Sequence, residues 1–521
     1  MKQFSPILMA AALVVASGGG AQANVGMLTE QAVAGSQITY SVAFAQPSGL
    51  PSGVDQMVTA AGGTIVARLP EIGGIAAVSA NPGFATTMAA NASVKSVDVA
   101  AETSLPIVDA GTDVTSAGNN GGTFSPAGPD PQPMPDSLGH QQWDKMRMNV
   151  SLTGSYALQR GRKDVRVFVI DTGADQTHID VAPNLDVANS RSFVPTEPTI
   201  QDFHGHGTWT ISAVGAPING VGISGVAPNV TLIEGKVLSG AGRGLFVWTD
   251  QALVYAGQKH FDIVSASLGG YIPKCGAVNS PNHCDHPDYI LLNRATQFAR
   301  ANGVLPVAAL ANNGFDLSDG AFFRDFIEAP GEVAGWVGVA ATGYFNQKAF
   351  YSNYGMGKTD VSAPGGSTRN YTGVPGSGAP PPPYLGLGRL IGAWSSTGSS
   401  APSDPHEECT GPGGTPPCFL YGYVQGTSMA TPNAAGVAAL IISQYGDFTS
   451  NNPNKPHMAP TQVEQLLQIT ANNQPCPEPP TVIQGPGFVF PTATCQGDVG
   501  YNSFFGKGIV DAVKAVTFLS P

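Results

Sequence analysis

The chain is short of charge, and above all of positive charge. Lys and Arg number 24 against 36 Asp and Glu in 521 residues, and charged side chains make up only 12% of the whole. A net charge of -12 repels phosphate backbones and anionic lipid over most of a surface, which excludes nucleic acid and acidic membranes as partners. Beyond the amino-terminal stretch no apolar run is long enough to span a bilayer. Cysteine is sparse, six in all, and no Cys-x-x-Cys pair occurs, so nothing has the spacing of a zinc site. Glycine (66) and proline (43) are abundant beside 42% hydrophobic residues, a composition suited to a large, loop-rich globular protein of more than one domain.

The amino terminus reads Met1-Lys2, an apolar stretch over 6–17, then Ala21-Gln22-Ala23 before Asn24. This predicts a secretory signal peptide over 1–23, with an apolar core too short for a permanent membrane helix. A soluble, secreted protein follows, extracellular or periplasmic. Export gives the cysteines meaning, because disulfides persist in oxidising compartments. They fall as sequence neighbours in Pro/Gly-rich loops, which predicts local staples: Cys275 with Cys284, Cys409 with Cys418, Cys476 with Cys495. Within a first domain over 24–101, residues 37–99 read strand, helix, strand, strand, helix, strand, a ferredoxin-like α+β arrangement. Residues 102–139 turn to Thr, Ser, Gly and Pro, cannot bury enough apolar surface to fold alone, and predict an exposed linker open to processing.

From 140 to 521 short apolar strands (165–170, 230–238, 262–268, 304–310, 337–341) alternate with helix-like stretches. That is the pattern of an α/β fold with a mainly parallel central sheet flanked by helices, in which active groups gather at the carboxyl ends of strands. Asp171 sits at such an end. His206 and Ser428 each open a small-residue helix, over 206–216 and 428–445. A serine hydroxyl is a weak nucleophile at neutral pH and needs a base within hydrogen-bond reach and a third group to orient that base. Asp171, His206 and Ser428 can fill those roles, with His204 as the competing base.

The three motifs, Asp171-Thr172-Gly173, His206-Gly207-Thr208 and Gly426-Thr427-Ser428-Met429-Ala430-Thr431-Pro432, run in the order Asp, His, Ser. That order with these flanks resembles the subtilisin-like serine proteases, from about Gln141 to the carboxyl terminus. An α/β-hydrolase esterase would need Ser before Asp before His; a silent binding protein would have no chemical need for an intact triad. The resemblance implies a secreted serine endopeptidase working through an acyl-enzyme on protein or peptide substrates, a monomer, with 24–101 as its own inhibitory propeptide. It implies Asn312 as the side-chain oxyanion donor, with Ala311 where glycine is usual and Asn313 as the fallback. Trp209 stands where many members carry a second histidine.

Substrate backbone can add as a strand to an exposed edge. Ser267-Leu268-Gly269 is similar to the family's substrate-binding strand, and Gly240-Ala241-Gly242 is a second candidate edge. Alignment with the family puts Glu328 near the floor of the pocket for the residue before the cleaved bond, where a carboxylate would favour Lys or Arg. Asp180, with Pro217, Asn219, Val221 and Ile223, matches in spacing a structural calcium (Ca2+) site of the family, built from oxygen ligands. The long Pro-rich segment between Gly365 and Ser428 reads as a surface insertion.

Overall fold

Alternating apolar residues over 37–44 form the first strand of a small antiparallel sheet, and the computed structural model builds the chain outward from there. It describes residues 37–105 and 132–518, apart from 276–284, 322, 369–387, 403–404, 451, 453–455, 485–488 and 490. The predicted signal peptide and most of the predicted linker lie outside the described residues. The amino-terminal unit runs β1 (Ile38–Phe44), α1 (Val54–Ala60), β2 (Gly63–Leu69), β3 (Gly74–Ser79), α2 (Phe84–Ala89) and β4 (Val94–Val99), with sheet order β2-β3-β1-β4. Every neighbouring pair is antiparallel. Because side chains alternate across a strand, Val42, Phe44, Ile75 and Ala77 meet Val58, Phe84 and Met88 of the two helices. The small residues Ala43 and Ala76 face the other way. A short strand, β5 (Glu102–Ser104), leaves this unit.

Two short helices, α3 (Trp143–Arg147) and α4 (Ser155–Leu158), precede the larger unit. It continues with β6 (Arg166–Asp171), β7 (Arg191–Ser192), α5 (His206–Gly215), β8 (Thr231–Lys236), β9 (Arg243–Leu245) and α6 (Phe246–Lys259). Then come β10 (Ile263–Ala266), β11 (Gly270–Pro273), α7 (Pro287–Ala301), β12 (Leu305–Ala309), β13 (Phe326–Ala329), β14 (Val337–Thr342) and β15 (Val361–Pro364). Seven strands form one sheet in the order β15-β14-β12-β10-β6-β8-β7, parallel throughout. Such strands are apolar on both faces because helices cover both. In β6, Val167 and Val169 enter a core with α5, while Phe168 and Ile170 enter a second core with α6 and α7. Each such side chain contributes about 1.5–3 kcal/mol by burial, more than a typical surface ion pair supplies.

The amino-terminal sheet docks on that second core. Gly74 approaches α7 so closely that a Cβ there would sit 2.4 Å from Leu291 Cδ2. Asp288 of α7 accepts from Ser41 Oγ (2.5 Å) and from the Ala101 amide (2.8 Å).

The Pro-rich segment before Ser428 is not mere surface. It contributes β16 (Leu390–Ala393), β17 (Pro405–Gly411) and β18 (Thr415–Val424), an antiparallel sheet in the order β16-β18-β17. Ile391, Ala393, Tyr421 and Tyr423 are buried in the core shared with α5; the Pro380 run itself lies outside the described residues. The apolar residues of β16 and β18 give this segment a face to bury, which its proline and glycine content masked. After it come α8 (Thr427–Tyr445), α9 (Pro460–Ile469) and α10 (Ala512–Thr517). Cys409–Cys418 and Cys476–Cys495 are bridged as predicted, and Cys275 is also disulfide-bonded, its predicted partner Cys284 lying outside the described residues. Among the described residues no helix is long and apolar enough to cross a membrane.

Candidate active site

Asp171 is the last residue of β6 and is fully buried. Its main-chain carbonyl accepts from the amides of Val237 and Leu238 (3.0 Å each), and Oδ1 accepts from the Thr172 amide (2.7 Å). His206 opens α5, and its Nδ1 lies 2.8 and 3.0 Å from Asp171 Oδ1 and Oδ2. One turn on, Thr210 Oγ1 donates to Asp171 Oδ2 (3.2 Å). His204 makes no such contact; its ring stands 6.3 Å from that of His206, and burial, then the neighbouring His206, push its basicity down. Trp209 is buried against the insertion, its Nε1 donating to the Gly422 carbonyl (3.1 Å).

Asp202 is a residue that motif reasoning passed over. Its carboxylate accepts from the amides of His204, Gly205 and Thr208 (2.9 Å each), from Thr208 Oγ1 (2.7 Å) and from Thr172 Oγ1 (2.9 Å). The Thr208 amide is one of the otherwise unpaired donors in the first turn of α5, and those of His204 and Gly205 lie in the turn that leads into it. The signal was present, since an aspartate just ahead of a helix start is a capping pattern.

Ser428 lies in the first turn of α8, and four residues on comes Pro432, which has no N–H to return to the Ser428 carbonyl. Ser267 supplies the missing donor: its Oγ donates to Ser428 O (2.8 Å), while Ser428 Oγ donates to Ser267 O (3.3 Å). In that rotamer the nucleophile's hydroxyl bonds to Ser267 rather than to the His206 ring; such contacts tighten in substrate complexes. Asn312 follows the end of β12, and its Oδ1 accepts from Thr427 N and Oγ1 (2.9 Å each), which pins the accepting end of the amide beside the nucleophile. Asn313 is turned elsewhere, its Oδ1 accepting from the Tyr271 hydroxyl (2.8 Å).

The strand β5 lies between two backbone edges. It pairs antiparallel with β9, Thr103 opposite Gly244, and Ser104 exchanges both backbone hydrogen bonds with Gly269 (3.0 Å each). The Leu105 amide then donates to Gly242 O (3.0 Å). Leu268 is core. Gly240 and Ala241 do not form the edge: the Gly240 amide donates to the Glu197 carboxylate (2.9 and 3.1 Å) and the Ala241 amide to Ser239 Oγ (3.4 Å). The edge starts at Gly242 and continues through Arg243, Gly244 and Leu245, because a turn closed by Ser239 and Gly242 comes first.

Subtilisins generally bind structural calcium, and the chain brings Asp180 to the loop over 217–223. The donors there do not fit a cation. Asp180 Oδ1 accepts from Asn219 Nδ2 (2.9 Å), and Oδ2 accepts from the Ile223 amide (3.0 Å) and the Tyr421 hydroxyl (2.8 Å). Asn219 Oδ1 is taken by the Val221 amide (2.9 Å), and Asp136 accepts the Asn219 (3.0 Å) and Gly220 (2.6 Å) amides. The loop thus turns the N–H groups of Asn219, Gly220 and Ile223 toward the acids, and no contact of Asp180 or Asp136 with Pro217 or Val221 is part of that set. Burial raises the Asp180 carboxyl to about 7. Among the described residues the one group with metal-ligand spacing is Glu407, Cys409 and Cys418, and its two sulfurs are already bonded to each other.

Residues 162–508 match the model of the subtilase family of peptidases. Subtilisin BL of Lederbergia lenta is 31% identical over 313 residues, covering 60% of this chain and 86% of that protein. Subtilisin E of Bacillus subtilis is 29% identical over 309 residues, covering 59% of this chain and 60% of its own. Among solved structures, the epidermin leader peptide processing serine protease of Staphylococcus aureus superposes with a TM-score of 0.66 at 20% identity, over 93% of this chain and 99% of that one. Fervidolysin of Fervidobacterium pennivorans superposes with a TM-score of 0.62 at 19% identity, over 93% and 62%. The match of residues 162–508 to the subtilase model, together with the 31% identity to subtilisin BL over 86% of its length, places this chain in the subtilase family, as a serine-type endopeptidase.

Proposed function

We propose that the protein is a secreted endopeptidase that cleaves peptide bonds through Asp171, His206 and Ser428. Ser428 attacks the scissile carbonyl, His206 takes its proton and later gives one to the leaving amine, and Asp171 fixes the imidazole tautomer and stabilises its cation. Asn312 donates to the oxyanion of the tetrahedral intermediate, and an acyl-enzyme on Ser428 is then hydrolysed by water. The observation that carries this reading is the His206 Nδ1 contact of 2.8 Å to a carboxylate that is wholly buried at a strand's carboxyl end.

The chain is made, on this reading, as a precursor: a signal peptide over 1–23, an inhibitory domain over 24–101, a processed linker over 102–139 and a monomeric peptidase domain over 140–521. Its support is β5, which pairs with the edges at Gly242–Leu245 and Gly269 in the manner of a substrate strand. Ser428→Ala tests both parts. Secreted wild type should be shortened and should hydrolyse peptides; the variant should stay full length and inert. Equal shortening of both would assign maturation to another protease, and hydrolysis by the variant would reject Ser428 as nucleophile.

A further inference from the structure

Thr427 holds the oxygen of the Asn312 side chain, but the direction in which that side chain leaves the backbone is set by the two peptide units on either side of it. One residue grips both. Asn353, in the segment between β14 and β15, donates its own amide to the Ala311 carbonyl (3.1 Å), and its Oδ1 accepts from the Asn313 amide (3.0 Å). The first contact fixes the peptide unit that enters Asn312, the second the unit that leaves it. The same Oδ1 also accepts from the Phe315 amide (2.9 Å). Asn353 is fully buried, where backbone amides need such partners. Its neighbours extend the grip: the Gly314 amide donates to Tyr351 O (2.7 Å) and the Tyr354 amide to Phe315 O (2.9 Å). The turn needs this bracing, because Ala311 (φ 68°) and Gly314 (φ 67°) both lie in the left-handed region, and a non-glycine residue stays there only where its surroundings over-determine it.

The orientation of the Asn353 amide is fixed in turn by Tyr271, which stands on β11 opposite the fully buried Glu328 of β13. Asn353 Nδ2 donates to the Tyr271 hydroxyl (3.1 Å), and that hydroxyl donates to Asn313 Oδ1 (2.8 Å). With one O–H to give, Tyr271 can serve only Asn313 as a donor and must accept from Asn353. This turns Nδ2 toward the ring and leaves Oδ1 facing the two amides. The backbone N–H of Asn313 closes the loop on Asn353, so three side chains hold one another in a single arrangement. Aspartate at 353 would lack the donor for this ring, and alanine would leave the Asn313 and Phe315 amides without the oxygen they share.

We propose that Asn353 is a positioning residue for peptide hydrolysis: clamping the peptide units on both sides of Asn312, and itself oriented by Tyr271, it aims the Asn312 amide at the oxyanion of the tetrahedral intermediate. This rests on the peptidase reading above. Asn353 takes no proton and forms no bond in the reaction; it acts through Asn312 alone. An oxyanion donor works only when it meets the place the charged oxygen will occupy, and a misplacement of about 1 Å can cost about 100-fold in rate. Because the contact tightens as charge develops, its loss falls on kcat rather than on KM.

The test is a double-mutant cycle on the full chain after secretion and processing; variants too slow to shorten themselves are processed by resin-bound wild type, which is then filtered off. Asn353→Ala should lower kcat for one peptide substrate by about 10- to 100-fold and leave KM within about twofold, because its side-chain bonds go to Asn313, Phe315 and Tyr271 and not to the substrate edges at Gly242 and Gly269. Made in an Asn312→Ala background, the same substitution should change kcat by less than about twofold, since no side chain is left to aim. Equal losses in both backgrounds would give Asn353 a general structural role and overturn the proposal, as would an unchanged kcat in the single variant. Should Asn353→Ala show no cooperative melting, Tyr271→Phe, which frees the Asn353 amide to turn, decides by the same comparison, with an expected loss of about threefold or more confined to the background that keeps Asn312. An unchanged kcat in Asn312→Ala alone overturns the proposal together with the oxyanion role of Asn312. Failure of the processed wild type to cleave any peptide overturns the peptidase reading itself.

Discussion

Ala311 holds a φ of 68°, in the left-handed region where an L side chain costs about 1–2 kcal/mol. It stands directly before Asn312, so backbone strain is stored at the point where the proposed oxyanion donor is aimed. Ala311→Gly should relieve it and raise stability by about 1 kcal/mol, measured by urea unfolding. Asn312→Ala should lower kcat by about 100- to 1,000-fold with little change in KM, the range known for removing such a donor from subtilisin itself. Steady-state kinetics on one peptide checks it. Ser267→Ala should destabilise by about 1–3 kcal/mol, because the buried Ser428 carbonyl would lose the donor that Pro432 cannot replace. At this scale the sequence was informative wherever chemistry restricts the residue type. Asp171, His206, Ser428 and Asn312 stood out by identity and flanking glycines, whereas Ser267 serves through a backbone contact across 161 positions that no local pattern announces.

Among the elements, β18 changes most what the sequence suggested. Tyr421 descends from it into the loop over 217–223 and takes a place on Asp180 that the spacing alone offered to calcium. Chelation should therefore leave the melting temperature unchanged, while Tyr421→Phe should cost about 1–2 kcal/mol. A pH dependence follows with a definite sign. A carboxyl whose folded value is raised to about 7 binds its proton more tightly folded than unfolded, so Asp180 contributes stability fully below the ordinary carboxylate range and loses it as pH rises toward 7. Melting temperatures of wild type and Asp180→Asn should converge in their pH dependence only outside that window, and parallel curves throughout would contradict the assignment. The strands of the central sheet were legible as apolar runs between turn residues, and α5 and α8 as small-residue stretches. The partnership of β18 with Asp180 was not, because it joins segments about half the chain apart whose contact depends on the whole fold.

At the scale of the molecule, the amino-terminal unit is held by side chains of α7. Arg294 donates to the carbonyls of Phe44 (3.1 Å), Ile72 (3.1 Å) and Gly73 (3.3 Å), which end β1 and precede β3. Arg294→Ala removes that donor from the Phe44 and Ile72 carbonyls, while Gly73 O keeps the Phe44 amide (2.8 Å). The concentration of a separately made 24–105 segment needed to halve the activity of the processed enzyme should rise about tenfold or more. Fold class was readable from periodicity; the docking face was not, since Ala43, Gly74 and Ala76 are recognisable as a contact surface only once α7 lies on them. Reaction of the processed enzyme with a serine-directed phosphonofluoridate, followed by peptide mapping, tests whether Ser428 is an activated nucleophile. The expected result is one adduct, on the peptide containing Ser428, formed by wild type and lost in His206→Ala. An adduct on a different serine, or none while peptide hydrolysis continues, would contradict it.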